Sequence, residues 1–247
     1  MHFSTLRIVL MLFRTCVLLG TMTTHAVVRS YSAPVQSAEA APYMCQLRSM
    51  SIEPMKCQGV LVDTHAALFT RRCMAYFEKG DKVVVGPARV DGGLDDGDWI
   101  PVVWISIHET LDFAMALLDR PAKVAPVGIL WDDLKPGAIA TMRGWNPFNG
   151  DNASKIVLET SVQIMTNDQC TAKFNHSIAN EVVCGDNDWF PDCASYVFGS
   201  LFANIGGNDF LVGIQSGFWC NSRPAFQIFS RLSAGRGFIE QFLCLAK

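Results

Sequence analysis

Hydrolysis by nucleophilic attack needs an oxygen or sulfur nucleophile, a base within reach of it, and a group that orients the base. Candidates for each are few in this chain. Residues 184–201, CGDNDWFPDCASYVFGSL, hold the densest set of reactive types, with Cys184, Cys193, two hydroxyls at Ser195 and Ser200, and several acids. Between the serines stand Tyr196, Val197, Phe198 and Gly199, and a valine has no atom that could attack a carbonyl. His65, His108 and His176 could in principle serve as bases, yet each reads as an ordinary surface or hydrogen-bonded histidine. Arg72, in the run Thr70-Arg71-Arg72-Cys73, keeps its proton at any relevant pH and cannot act as a general base. Asp112 is of the right type to orient a base, but no base stands beside it in sequence.

The elements that must position these residues are short. Apolar or alternating runs at 43–48, 59–63, 82–86, 100–107 and 113–118 are separated by turn-rich segments, GGLDDGD among them. The second half repeats the style at 138–143, 156–164, 181–184, 196–203, 210–216 and 226–232. Many short strands at near-regular spacing predict an all-β sandwich or barrel. One helix is expected to close the chain, started by Ser233 or Gly235, with Phe238, Ile239, Phe242 and Leu243 on one face.

Composition sets the compartment. With 247 residues, half of them apolar and 17% charged, the chain can bury a large core. Residues 1–26 combine Arg7, an apolar run from Ile8 to Gly20 and a small-residue site ending at Ala26, the pattern of a secretory signal peptide. Arg14 interrupts that run, which argues against a membrane span. Removing these residues takes two arginines and moves the formal net charge from −3 to −5, which disfavours nucleic acid and anionic membranes. It also removes Cys16 and leaves Cys45, Cys57, Cys73, Cys170, Cys184, Cys193, Cys220 and Cys244. An even number behind a signal peptide predicts disulfides, although about 105 pairings are open. Asn152-Ala-Ser154 and Asn175-His-Ser177 are glycosylation sequons.

Six segments, in order, resemble chymotrypsin-like serine proteases. Pro42-Tyr43-Met44 is similar to the family's first barrel strand, and CQGVLVDTHAALFTRRC (57–73) to the segment CGGSLI...WVLTAAHC. LDFAMALLDRP (111–121) resembles DIALLKL, PGAIATMRGW (136–145) resembles PGTxxxVxGWG, and GIQSGFWC (213–220) resembles GIVSWGxGC. Residues 226–242 resemble the YTRVSxYxxWI tail. The resemblance implies a double antiparallel β-barrel with a C-terminal helix, the first barrel within 27–133 and the second, with the helix, within 134–247. It also implies bridges Cys57–Cys73, Cys170–Cys184 and Cys193–Cys220. Cys45 and Cys244 have no counterpart in the family and are expected to pair with each other, two free buried thiols being the alternative.

The same resemblance places Arg72 where the family has its histidine, Asp112 at the aspartate, Val197 at the nucleophilic serine and Tyr196 at the acid before it. Asp112 then has two readings, a charge partner for Arg72 or a carboxylate held by backbone amides. The Ile-Val-Gly-Gly activation motif has no counterpart in 27–44, and the substrate-strand Ser-Trp-Gly has become Ser216-Gly217-Phe218. A pseudo-protease without cofactor or metal is therefore expected. Trp189, Phe190, Phe218 and Trp219 fall around the old primary pocket, with Phe148 beside them, and read either as an aromatic contact surface or as filling for that pocket. The pattern of departures resembles the glucanase inhibitor proteins of plant pathogens, which implies a secreted monomer that binds and blocks a host endo-β-1,3-glucanase. A carbohydrate-binding or adhesion module and a hydrolase with relocated catalytic residues are the alternatives.

Overall fold

The computed structural model describes residues 33–34, 41–49, 55–145, 156–186, 198–219 and 226–243. The first barrel consists of β2 (Met44–Arg48), β3 (Cys57–Asp63), β4 (Ala66–Phe69), β5 (Lys82–Val85), β6 (Asp98–Ile107) and β7 (Ala114–Leu118). It closes in the order β2-β3-β4-β7-β6-β5, with β5 returning to β2. Val83, Val84 and Val85 show why such runs become strands, since β-branched side chains pack well on a half-buried pleat. Strand β4, sequence AALF, escapes the sequence analysis for the opposite reason. All four of its residues are buried, so it has no alternation, and alanine has little preference for strands.

The second barrel is built from β9 (Ile139–Trp145), β10 (Leu158–Ile164), β11 (Val182–Asp186), β12 (Phe198–Ile205), β13 (Asn208–Trp219) and β14 (Phe226–Arg231). Its order is β9-β10-β11-β14-β13-β12, and β12 pairs back onto β9. The β12–β13 hairpin turns on Gly206-Gly207, with φ of +61° and +84°. Positive φ at both central positions is what a tight hairpin turn of the primed type demands, and glycine supplies it without strain. Two short segments tie the halves together. β1 (Ala33–Pro34) pairs antiparallel with β10, and β8 (Gly128–Ile129) runs parallel to β13. Both lie within the stretch 27–133 expected to form the first barrel, and both are hydrogen-bonded to the second.

One apolar cluster fills the first barrel and continues across the seam. It takes in Met44, Leu47, Leu68, Phe69 and Phe113 from one barrel, and Trp145, Phe202, Leu211 and Ile214 from the other. The C-terminal segment closes this seam. A 3-10 turn over Leu232–Gly235 leads into α3 (Arg236–Ile239) and a second 3-10 turn over Glu240–Phe242. Ile239 is fully buried, and Phe238, Phe242 and Leu243 pack against the cluster, as their helical spacing predicts. A second core of Ala140, Met142, Val162, Leu201 and Phe229 occupies the interior of the second barrel.

Two further helices were not expected. α1 (Arg71–Met74) is a single turn whose N-cap, Thr70, accepts the Cys73 N–H at 3.1 Å. α2 (Asn167–Phe174) begins with a capping box, Thr166 taking the Gln169 N–H and the Gln169 side chain taking the Thr166 N–H. Threonine followed three residues later by glutamine is a helix-start signal present in the sequence.

Bridges Cys57–Cys73 and Cys170–Cys184 are formed, and together they anchor α1 to β3 and α2 to β11. Each is worth about 2–4 kcal/mol by the usual loop-closure argument. Cys193 and Cys220 lie outside the described residues. The expected pairing of Cys45 with Cys244 is corrected: Cys45 is a free thiol, wholly buried on β2, its sulfur 3.6 Å from the Tyr43 carbonyl. Elimination by counting ignores the interior, where an unpaired cysteine behaves as a small apolar side chain. Burial pushes the Cys45 thiol up, far from ionisation at neutral pH.

Candidate functional site

Arg72 and Asp112, expected at two positions of the family's triad, line a cleft of about 320 Å³ between the barrels. From the first barrel it is lined by Arg72 and by Thr110, Leu111, Asp112 and Phe113, and from the second by Glu181, Val182, Ser216 and Ser230. The sequence holds this corner in place by several independent constraints. The Cys57–Cys73 bridge and the Thr70 cap fix α1, and the Arg71 guanidinium donates to the carbonyls of His108 (3.3 Å) and Glu109. That contact fastens α1 to the turn between β6 and β7, which carries Asp112.

Arg72 and Asp112 do meet, but not as an ion pair of side chains. Oδ1 of Asp112 accepts the backbone N–H of Arg72 at 3.1 Å. Of the two readings open for Asp112, the structure selects the carboxylate held by a backbone amide. The guanidinium of Arg72 is exposed, and no described residue engages it.

No described histidine lines the cleft. His108, close by in sequence, is consumed by its own turn. Its Nδ1 accepts the N–H groups of Thr110 (3.1 Å) and Leu111 (3.0 Å), and its ring meets Phe238 edge-on at 5.2 Å. An Nδ1 that accepts two N–H groups carries no proton itself. His65 sits on the turn between β3 and β4, beside Thr64, with its backbone N–H on Asp63. His176 is exposed just beyond α2. Among the hydroxyls, Ser200 lies within β12 and is almost wholly buried, while Ser216 contacts the Ile228 carbonyl at 3.5 Å. Among the described residues no group of three or more His, Cys, Asp or Glu is placed to hold a metal ion, and no helix is long and apolar enough to cross a membrane.

Val197, Ser195, Tyr196, Trp189, Phe190, Phe148 and Asn152 lie outside the described residues. Phe218 and Trp219 are placed by their backbone on β13, opposite Gln227 and Phe226 of β14. Asn175 is exposed at the C-cap of α2 in the left-handed region, φ +55°, which an asparagine tolerates better than most residues. Gly199 has a packing role. A Cβ there would lie 1.8 Å from the Arg143 carbonyl, so β12 can approach β9 only with glycine at this position.

Sequence reasoning missed a polar clasp across the seam. The Tyr43 hydroxyl donates to Asp209 at 2.6 Å, and Arg143 reaches Tyr43 (2.7 Å), Glu159 (3.0 Å) and Asp209. Arg143 also lies over the Phe202 ring at 5.7 Å, and Asn204 supplies a further hydrogen bond to Asp209. Burial works against the Asp209 carboxylate, yet the Tyr43 hydroxyl, Arg143 and Asn204 together hold it below the usual carboxylate range. Burial, aided by the hydrogen bond to Asp209, pushes the Tyr43 hydroxyl up. The available signal was an arginine inside the otherwise apolar run of ATMRGW, a position that only pairing makes tolerable.

Comparison with known proteins agrees with this architecture. The sequence model of the trypsin family, described as "Trypsin", matches residues 31–234. Glucanase inhibitor protein 2 of Phytophthora infestans is 28% identical over 215 residues, covering 80% of this chain and 82% of that protein. Glucanase inhibitor protein 2 of Phytophthora sojae is 26% identical over 219 residues, covering 81% of this chain and 74% of the relative.

Proposed function

The chain belongs to the trypsin family, and from that premise we propose that it is a secreted, catalytically inactive member that binds a host extracellular endo-β-1,3-glucanase and inhibits it. The observation that carries this is the Arg72–Asp112 corner. Where a hydrolase of this family needs an imidazole oriented by a carboxylate, the carboxylate caps the backbone N–H of an arginine. An arginine cannot take a proton from a nucleophile at any pH the protein meets. With base and nucleophile gone, binding alone would leave catalysis on the order of 10³ over water. Val197 in the place of the nucleophile belongs to the same proposal. The naming of both relatives as glucanase inhibitors supports the choice of partner, and two disulfides fit an oxidising compartment.

Inhibition is then occlusion. One face of the double barrel covers the partner's cleft, burying about 1,600 Å² in total, the size of a standard specific complex. Trp189, Phe190, Phe218 and Trp219 are proposed contacts, Asn152 and Asn175 proposed glycan sites, and the working form is proposed to be a monomer lacking residues 1–26.

The test is the hydrolysis of a soluble β-1,3-glucan by a purified plant endo-β-1,3-glucanase, with increasing amounts of the disulfide-intact chain. The rate is expected to fall to a saturable floor with neither protein cleaved and no turnover of peptide or ester substrates. An unchanged glucanase rate removes the partner assignment, and retention on insoluble β-1,3-glucan would then put a carbohydrate-binding role in its place. Ester turnover abolished by a single Ser or His substitution would restore an enzyme.

A further inference from the structure

Strand β6 changes partner midway along its length. Residues 98–101 pair with β5, Lys82 opposite Pro101 being the last rung, while residues 102–107 pair only with β7 among the described strands. The register shifts between Val102 and Trp104, so Val103 is the extra residue of a bulge. A bulge bends a strand and re-aims its side chains. Here Val103 is 57% exposed, Trp104 63% and Ile107 48%. Of the seven large apolar side chains exposed among the described residues, three therefore fall within five consecutive positions. Single exposed apolar residues need no explanation, but a cluster on an unpaired strand edge marks a surface for association.

Trp104 and Ile107 flank this edge from opposite faces, their register being regular after the bulge, and the edge leads into the cleft. Residues 108–110 follow Ile107 directly, Thr110 lines the cleft, and Arg71 clamps the carbonyls of His108 and Glu109. Arg72, the next residue of α1, stands at the cleft with its guanidinium exposed and engaged by no described residue. Five strand residues span about 16 Å at roughly 3.3 Å each, so strip and arginine together fit within one side of a standard interface. Tryptophan and arginine are also the residue types that most often carry binding energy at interfaces.

We infer that the open edge of β6 at Val103, Trp104 and Ile107, together with Arg72, docks on the carboxylate-lined cleft of a glycoside hydrolase, with the guanidinium paired to its acidic residues. The inference rests on the proposed inhibition of a glucanase. Its chemical basis is charge: glycoside hydrolases as a rule place two carboxylates in the substrate cleft, and a chain of net charge −5 once residues 1–26 are removed approaches such a cleft favourably only where it presents a cation. Asp112 and Glu181 line this chain's own cleft and would repel an anion entering it, so the contact is made at the exposed guanidinium. A planar guanidinium matches a carboxylate in two parallel hydrogen bonds, which lysine cannot reproduce.

The experiment measures binding and inhibition of a purified plant endo-β-1,3-glucanase by the full disulfide-bonded chain and by Trp104→Ser, Ile107→Ser and Arg72→Ala. A second form of the glucanase has its ionised catalytic carboxylate, the nucleophile or base rather than the protonated acid, changed from Glu to Gln. Trp104→Ser and Arg72→Ala are each expected to weaken binding roughly tenfold or more, as interface anchors do. Arg72→Ala should lose most of its effect against the Glu→Gln glucanase. Ile107→Ser serves as the second probe of the strip should Trp104→Ser fail to fold. Wild-type inhibition that all three variants reproduce would overturn this surface and leave the inhibitor function standing. No inhibition by the wild type would remove both. A wild type that instead self-associates through β6, with Trp104→Ser restoring a monomer and glucanase untouched, would also overturn it.

Discussion

Arg72 and Arg143 both stand where the barrels face each other, and they have opposite fates. The Arg143 side chain is 12% exposed and bound on three sides, by Tyr43 from the first barrel and by Glu159 and Asp209 from the second. Arg72 is exposed, and only its backbone is used, the N–H by Asp112 and the carbonyl by the Ala75 N–H. The first arginine belongs to the architecture, because a buried charge persists only when its partners are built with it. The second costs the fold nothing to keep, so its side chain remains available to a ligand. The difference separates what holds this molecule together from what it presents.

The largest expected effect lies at the clasp. Arg143→Ala leaves Asp209 mostly buried without its cation and should cost about 3–5 kcal/mol in chemical denaturation, the range for breaking a buried pair by removing one partner. A cost below about 1 kcal/mol would reduce the clasp to a surface contact and erase the contrast with Arg72.

Acid titration probes the same contact more gently. The Asp209 carboxyl is held below its ordinary range in the folded chain, so the unfolded chain binds the proton more readily. Its stabilisation is therefore complete above the unfolded value of about 3.9 and is lost as pH falls through the lower folded value. Asp98, held down first by its hydrogen bonds from Arg120, adds to the same window. Stability should fall steeply below about pH 4 in the wild type and less steeply in Asp209→Asn. Equal slopes would show that Asp209 is not titrating against the clasp.

The smallest effect is expected at Arg72→Ala, with an unfolding free energy within about 0.5 kcal/mol of wild type, as for exposed side chains outside any network. A larger loss would show that the guanidinium serves the fold after all.

How much of this was legible in the sequence follows from how local each cause is. The strands could be read because their alternation and turn residues are neighbours in the chain, and the seam helix because Phe238, Ile239 and Phe242 repeat at helical spacing. α2 was legible in principle through Thr166 and Gln169. The clasp was not, since Tyr43, Arg143 and Asp209 are separated by 66 to 166 positions and only the closed barrels bring them together. The state of Cys45 was misread for a related reason. A count of cysteines says how many could pair, whereas the complete burial of Cys45 is a property of the finished barrel. At the site, the resemblance set Arg72 beside Asp112, but which atom of Arg72 meets Asp112 depends on the pitch of α1.

The pairing of Ala33 with Glu159 also has a meaning in time. A chain made from its N-terminus at about 5–20 residues per second exposes β1 on the order of ten seconds before its partner strand exists. Late in that interval, once β7 has been made, the first barrel can close, but this short segment has nothing to dock on until β10 follows. During synthesis its edge is therefore open to other chains, and crowding of nascent chains should be felt there before any other part of the molecule.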